Sequence, residues 1–197
     1  MTAGANRILT TTLHSPQVHG FFSVPVDHLH ALRELAGYFR RYDLSNSVVV
    51  SPDLGNAKEA AAFARLLGTG VAMGAKQRFE DDRVQISAII GDVAGKDVIV
   101  LDDEIAKGST VIELMTHLRR EGAQSVRVAC THGLFSDGAL DRLDAQPDVL
   151  EIVSTNTVPL APAKRSSKLV VLSVAPALAE AMRRIHAGES VSELFHS

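Results

Sequence analysis

A chain of 197 residues with 46% hydrophobic content can bury one core, and a formal net charge of −3 with no basic block gives no electrostatic footprint for nucleic acid. The longest apolar stretches are strand-sized, and residues 1–7 lack the charged-then-apolar layout of an export signal, which argues against a membrane span and for a cytoplasmic protein. The single cysteine, Cys130, cannot make an internal disulfide and reads as a small buried residue, and the eight histidines show no metal-ligand spacing such as His-Glu-x-x-His.

Residues 1–46 are irregular apart from a helix expected from about 28 to 41. Ser47-Val48-Val49-Val50-Ser51-Pro52 predicts a strand, and Asn56 with Glu59 reads as the capping pair of a helix with the apolar stripe Ala60, Phe63, Ala64 and Leu67, stopped by Gly68. From 76 to 90 the chain is charged and then alternates apolar with polar residues, the pattern of a protruding, mobile β-hairpin. Residues 97–101 form the next strand. A helix follows over about 110–120, with Val111, Leu114, Met115 and Leu118 facing inward and Gly122 ending it. Further strands are expected at 126–131, 149–153 and 169–173, and a last helix at about 177–185 before Gly188. Short apolar runs alternating with helix-period segments predict one α/β domain over 1–197, a mainly parallel sheet flanked by helices.

Ligands of open α/β sheets sit outside the carboxyl ends of the strands. The residues there are Ser51 and Asp53, Asp102 and Asp103, and Thr131 and His132. Adjacent Asp102 and Asp103 point to opposite sides if the strand continues, so one can accept sugar hydroxyls while the other holds a metal-bound water or a helix amide. Magnesium binds through one or two carboxylates plus substrate phosphates, which suits so sparse a site. Ala106-Lys107-Gly108-Ser109-Thr110 could wrap a phosphate with amides, hydroxyls and an ammonium at a helix start; the plain alternative is a helix cap, with Thr110 and Glu113 as a capping box. Lys76 and Arg78, on the hairpin, could close over transferring phosphates, or serve only as surface charge.

In order along the chain, Leu13-His14-Ser15-Pro16-Gln17-Val18-His19-Gly20-Phe21-Phe22, Ile89-Ile90-Gly91-Asp92-Val93, the acidic strand and turn through Thr110, Thr131-His132-Gly133-Leu134-Phe135-Ser136 and the Arg183-Arg184-Ile185-His186 ending resemble the carboxyl-terminal two thirds of ribose-phosphate pyrophosphokinase, or phosphoribosyl pyrophosphate synthetase. The resemblance implies a phosphoribosyltransferase-like fold and transfer of diphosphate from ATP to O1 of ribose 5-phosphate, with Mg2+ as cofactor. It implies that Asp102 and Asp103 hold the ribose hydroxyls, that Lys107, Gly108, Ser109 and Thr110 hold the 5-phosphate, and that Lys76 and Arg78 are catalytic. His14 would sit at the ATP and metal site, with Asp27 and Asp53 as further metal residues.

The sequence departs from the family pattern at Thr12, Ser23 and Ala106, where carboxylates are usual, and at Lys107, and the resemblance, which starts after the family's amino-terminal domain, leads us to expect that domain to be absent. The implied partners are therefore a second copy or a full-length paralogue, with Phe21, Phe22, Val24 and Val26 as a contact surface or a covered core segment. The alternative is a non-catalytic regulatory or sugar-phosphate-binding subunit. A base-consuming phosphoribosyltransferase uses the same acidic element but needs a hood over a base, whereas residues 1–47 match the synthetase.

Overall fold

The computed structural model describes residues 2–78, 84–161 and 166–195. The continuous apolar runs are buried on both faces, as strands in the middle of a parallel sheet must be: Val48, Val49 and Val50 of β3 (Ser47–Ser51) and Val98 to Leu101 of β6 (Asp97–Ile105) are all at most 2% exposed. The sheet has seven strands in the order β5-β4-β3-β6-β7-β8-β9, completed by β4 (Gly70–Arg78), β5 (Val84–Ile90), β7 (Ser125–Gly133), β8 (Val149–Thr155) and β9 (Leu169–Leu172). Every neighbouring pair is parallel except β4 and β5, which form an antiparallel hairpin bulged between Ala75 and Lys76.

Alternation along the strands divides the core into two layers. Val49, Ile99, Leu101, Ala129 and Val153 face α1 (Leu32–Phe39) and α2 (Ala57–Leu67), while Val48, Val50, Val98, Val100, Val128 and Cys130 face α3 (Ser109–Arg120) and α4 (Ala139–Asp144). The helix α2 leads from β3 outward to β4, and α3 leads from β6 outward the other way to β7. Right-handed crossovers running in opposite directions must lie on opposite faces, so the winding reverses between β3 and β6 and opens a crevice at their carboxyl ends.

A small lobe stands beside the main sheet. It consists of a parallel pair, β1 (Ile8–Thr11) and β2 (Val26–Leu29), joined through a 3-10 turn at Pro16–Phe21. The helices α5 (Ala175–His186) and α6 (Ser192–Phe195) end the chain. No described helix is long and apolar enough to cross a membrane.

The hairpin expected at 76–90 pairs from Met73, and its strand β4 begins still earlier, at Gly70, because its first residues pair with β3; residues 79–83 lie outside the described part. The helix expected at 28–41 is shorter, since residues 26–29 pair as β2. The expected caps form differently. Asn56 donates its amide to the Leu101 carbonyl at 3.0 Å, and Glu113 accepts the Ile86 N–H at 2.7 Å instead of turning back on its own helix. Both residues therefore tie a helix start to the sheet, and α3 begins at Ser109 with left-handed Gly108 (φ 70) as its cap. Gly68 ends α2 as expected, left-handed at φ 71. Phe21 is 83% exposed, whereas Phe22, Val24 and Val26 are half-buried.

Candidate functional site

Two adjoining cavities occupy the crevice where the winding reverses. One, of ≈ 360 Å³, is lined by Leu13, His14, Pro16, Asp53, Gly55, Asn56, Glu59, Asp102 and Asp103. The other, of ≈ 440 Å³, shares His14, Asp53, Asp102 and Asp103 and extends over Lys76 and residues 104–111. Such volumes suit a small-molecule ligand.

The strand β6 runs past Leu101, with Asp102 opposite Cys130 and Glu104 opposite His132 on β7, so the two carboxylates stand on a paired strand instead of a loose end. Asp102 accepts the Asp103 N–H at 3.0 Å, and burial first, then the charge of Asp103, raises its pKa well above the ordinary carboxylate range. The Asp103 carboxylate meets Nδ1 of His14 at 2.7 Å, which raises the histidine's pKa by a hydrogen bond and by charge. A ligand entering here meets a buried carboxyl group beside one that is hydrogen-bonded to His14.

After Ile105 the chain turns through Lys107 and Gly108 into α3. The Gly108 carbonyl accepts the Ile112 N–H, and the amide hydrogens before that residue have no partner within the helix, the arrangement that attracts an anion. A Cβ at Gly108 would lie 3.5 Å from Ala139 and 3.7 Å from Leu143, so the turn rests directly on α4. The Lys107 ammonium faces Asp137 at 3.6 Å and is 72% exposed.

Across the cavity, Lys76 Nζ pairs with Asp53 Oδ2 at 2.5 Å, while Oδ1 of the same carboxylate accepts the amides of Gly55 and Asn56 at 2.9 and 3.3 Å. Burial alone would raise the Asp53 carboxyl; Lys76 and the two amides outweigh it and leave its pKa below the ordinary value. Gly74 allows this approach, since a Cβ there would come within 2.6 Å of the Pro52 carbonyl oxygen. Arg78 ends β4, and its side chain lies outside the described residues.

The structure thus gathers His14, Asp53, Lys76, Asp102, Asp103 and residues 107–110 around one crevice. It does not bring Asp27 there. That carboxylate takes the Arg7 guanidinium at 2.6 Å and lines neither cavity, because β2 turns it toward the start of β1.

His132 serves from behind. Its Nε2 donates to the Thr12 carbonyl at 2.6 Å and its Nδ1 meets the Thr157 hydroxyl at 2.9 Å, which straps the His14 segment to β7. Thr12 itself is buried and left-handed at φ 45, its hydroxyl accepting the Ala31 N–H at 3.2 Å. Cys130 is wholly buried and its thiol is pushed up by that burial, so it offers no nucleophile.

The sequence marks His132 without its strapping role, and it marks Asn56 and Glu59 as a capping pair and as departures from the family pattern without placing them at the site, although both line the smaller cavity. Positive φ at non-glycine residues marks the site more sharply. Among the described residues these are Thr12, Phe135 and Asp137, and all three flank it.

The matching family is described as the phosphoribosyl synthetase-associated domain, over residues 83–196. A putative ribose-phosphate pyrophosphokinase of Streptomyces coelicolor is 73% identical over 195 residues, covering 99% of this chain and 62% of that protein. The ribose-phosphate pyrophosphokinase of Deinococcus radiodurans is 48% identical, covering 98% and 62%. The crystal structure of phosphoribosylpyrophosphate synthetase from Mycobacterium smegmatis superposes with a TM-score of 0.85 at 40% identity, over 95% of this chain and 61% of that one. The chain therefore spans about three fifths of the length of these relatives. It is a member of the phosphoribosyl synthetase-associated domain family.

Proposed function

We propose that this chain carries the ribose 5-phosphate half of a ribose-phosphate pyrophosphokinase site, where diphosphate passes from ATP to O1 of the sugar to give phosphoribosyl pyrophosphate and AMP. The observation that carries this reading is the juxtaposition of Asp102 and Asp103 with the open amides of the β6–α3 turn in one cavity, with Lys76 facing them. The carboxyl pair suits the sugar hydroxyls. The amides and hydroxyls of Ser109 and Thr110 suit its terminal phosphate.

Transfer needs O1 to attack the β-phosphorus in line, forming the O1–P bond and losing its proton to solvent as the bond to the bridging oxygen breaks and AMP departs with that oxygen. Little covalent chemistry falls to the protein, so positioning and charge neutralisation dominate. Lys76 would exchange Asp53 for the migrating diphosphate. His14 would hold Asp103 in orientation.

Among the described residues no three His, Cys, Asp or Glu side chains form a metal cage, so a cation here would complete its shell with water and phosphate oxygens, as magnesium does. Asp103 and Asp53 are the oxygen donors that fit it, while the His14 nitrogen suits a hard cation less well. When bound, magnesium would neutralise phosphate charge.

The test is calorimetry with ribose 5-phosphate together with an AMP-release assay. Lys76→Ala should cut transfer by about 10²- to 10³-fold and leave the affinity for ribose 5-phosphate unchanged. Failure of the unaltered chain to bind ribose 5-phosphate would sink the reading. A second reading, a non-catalytic sugar-phosphate-binding subunit acting with a second copy or a full-length paralogue, is favoured by Thr12, whose hydroxyl is engaged with Ala31, and by Ala106 beside the sugar site. Ribose 5-phosphate binding without AMP release, alone or beside a full-length paralogue, would select it.

A further inference from the structure

The turn that follows β6 does not hold itself. Its carbonyls are taken by the segment after β7: Ile105 accepts the amides of Leu134 and Phe135 at 3.1 and 3.0 Å, and Ala106 accepts that of Ser136 at 3.0 Å. Phe135 and Asp137 pay for this path with left-handed backbone, φ 44 and 51, which an L residue adopts only under constraint. One side chain closes the assembly. Arg142, on the last turn of α4, donates Nη2 to the Lys107 carbonyl at 2.6 Å and Nη1 to the Asp137 carbonyl. The helix that carries it is anchored by Ala139, Leu140 and Leu143, all at most 3% exposed, and Gly108 packs against the first and last of these.

From this we infer that Arg142 is a positioning residue for anion binding: its guanidinium locks the 105–108 turn onto the strained 134–138 segment, so that the open amides of α3 keep the orientation that a sugar phosphate requires. Arg142 lines neither cavity and so acts through the turn alone. The inference rests on reading the turn as the phosphate site. A planar fork suits the task because it bonds two carbonyls at fixed separation, whereas a neutral amide of shorter reach cannot bridge both.

Calorimetry of the full chain with ribose 5-phosphate, followed by ¹H–¹⁵N spectra of residues 105–112, tests it. Arg142→Ala should weaken binding by about tenfold, shift those amide resonances in the unliganded protein and leave the melting temperature unchanged. Low, non-denaturing concentrations of guanidinium ion should restore part of the loss. Arg142→Gln should behave as Arg142→Ala does, and it carries the comparison should the alanine variant fail to fold. Wild-type affinity in these variants overturns the inference, as does a loss that guanidinium leaves unrepaired while the melting temperature falls. The two readings separate through Ser109→Ala. If that change weakens ribose 5-phosphate and Arg142→Ala does not, Arg142 alone is wrong; if the unaltered chain binds no ribose 5-phosphate, both fall.

Discussion

The two sides of the crevice are built in different ways. On the side of the β6–α3 turn, β6 runs through the middle of the sheet, α3 buries Val111, Leu114, Met115 and Leu118 to at most 1% exposure, and the turn between them rests on α4. The β1–β2 lobe, which presents His14, has half-buried strands apart from Leu29 and is fastened by polar contacts: Arg7 with Asp27, Leu13 with His28, His132 with Thr12 and His14 with Asp103. Apolar packing does not titrate, whereas hydrogen bonds to titrating groups do. One wall of the site is therefore rigid by packing, and the other is adjustable by chemistry.

The difference can be broken most forcibly from the packed side. Leu114→Ala should cost about 2 to 5 kcal/mol of stability by urea unfolding, because Leu114 is wholly buried and abuts Gly74 of β4. His132→Ala attacks the lobe instead. It leaves the Thr12 carbonyl without its imidazole donor and should cost about 1 to 3 kcal/mol, with hydrogen exchange quickening across residues 8–14. Equal quickening along β6 would show that the two walls are one unit.

The contrast sharpens with pH. His28 accepts the Leu13 N–H at 2.9 Å and so must be neutral; burial first, then His30 and His19, lower its pKa from 6.5 to about 4. The unfolded chain gains a proton below 6.5 that the folded chain refuses until about 4, so stability should decline as pH drops through that interval. His28→Asn, which can still accept the amide, should flatten thermal melts there. His14 has the opposite sign. Its pKa is raised by Asp103, so its contribution is complete below its unfolded value of 6.5 and fades as pH rises through the raised one. The smallest effect is expected at Lys107: its ammonium is solvated beside Asp137, and Lys107→Ala should change ribose 5-phosphate affinity by less than about twofold.

The central strands were legible because burial on both faces demands unbroken Val, Ile and Leu, and α3 was legible because its apolar residues recur at helical spacing. Asp102, Asp103 and the turn could be marked from local order alone. The strands β1 and β2 were not legible, since short, half-buried strands carry neither an unbroken apolar run nor a clean alternation. The same limit hid the early start of β4 at Gly70, whose pairing with β3 is a tertiary choice.

Taken alone, the sequence determined the layer plan and the chemistry at the ends of the central strands, because periodicity, glycine stops and adjacent polar residues are properties of neighbours in the chain. Only the tertiary structure decided who meets whom across it. His14 reaches Asp103 over 89 positions and Arg142 reaches Lys107 over 35, while Asp27 is diverted to Arg7. The reason is geometric: partners that far apart are chosen by how right-handed crossovers stack the strands, and no local pattern encodes that stacking.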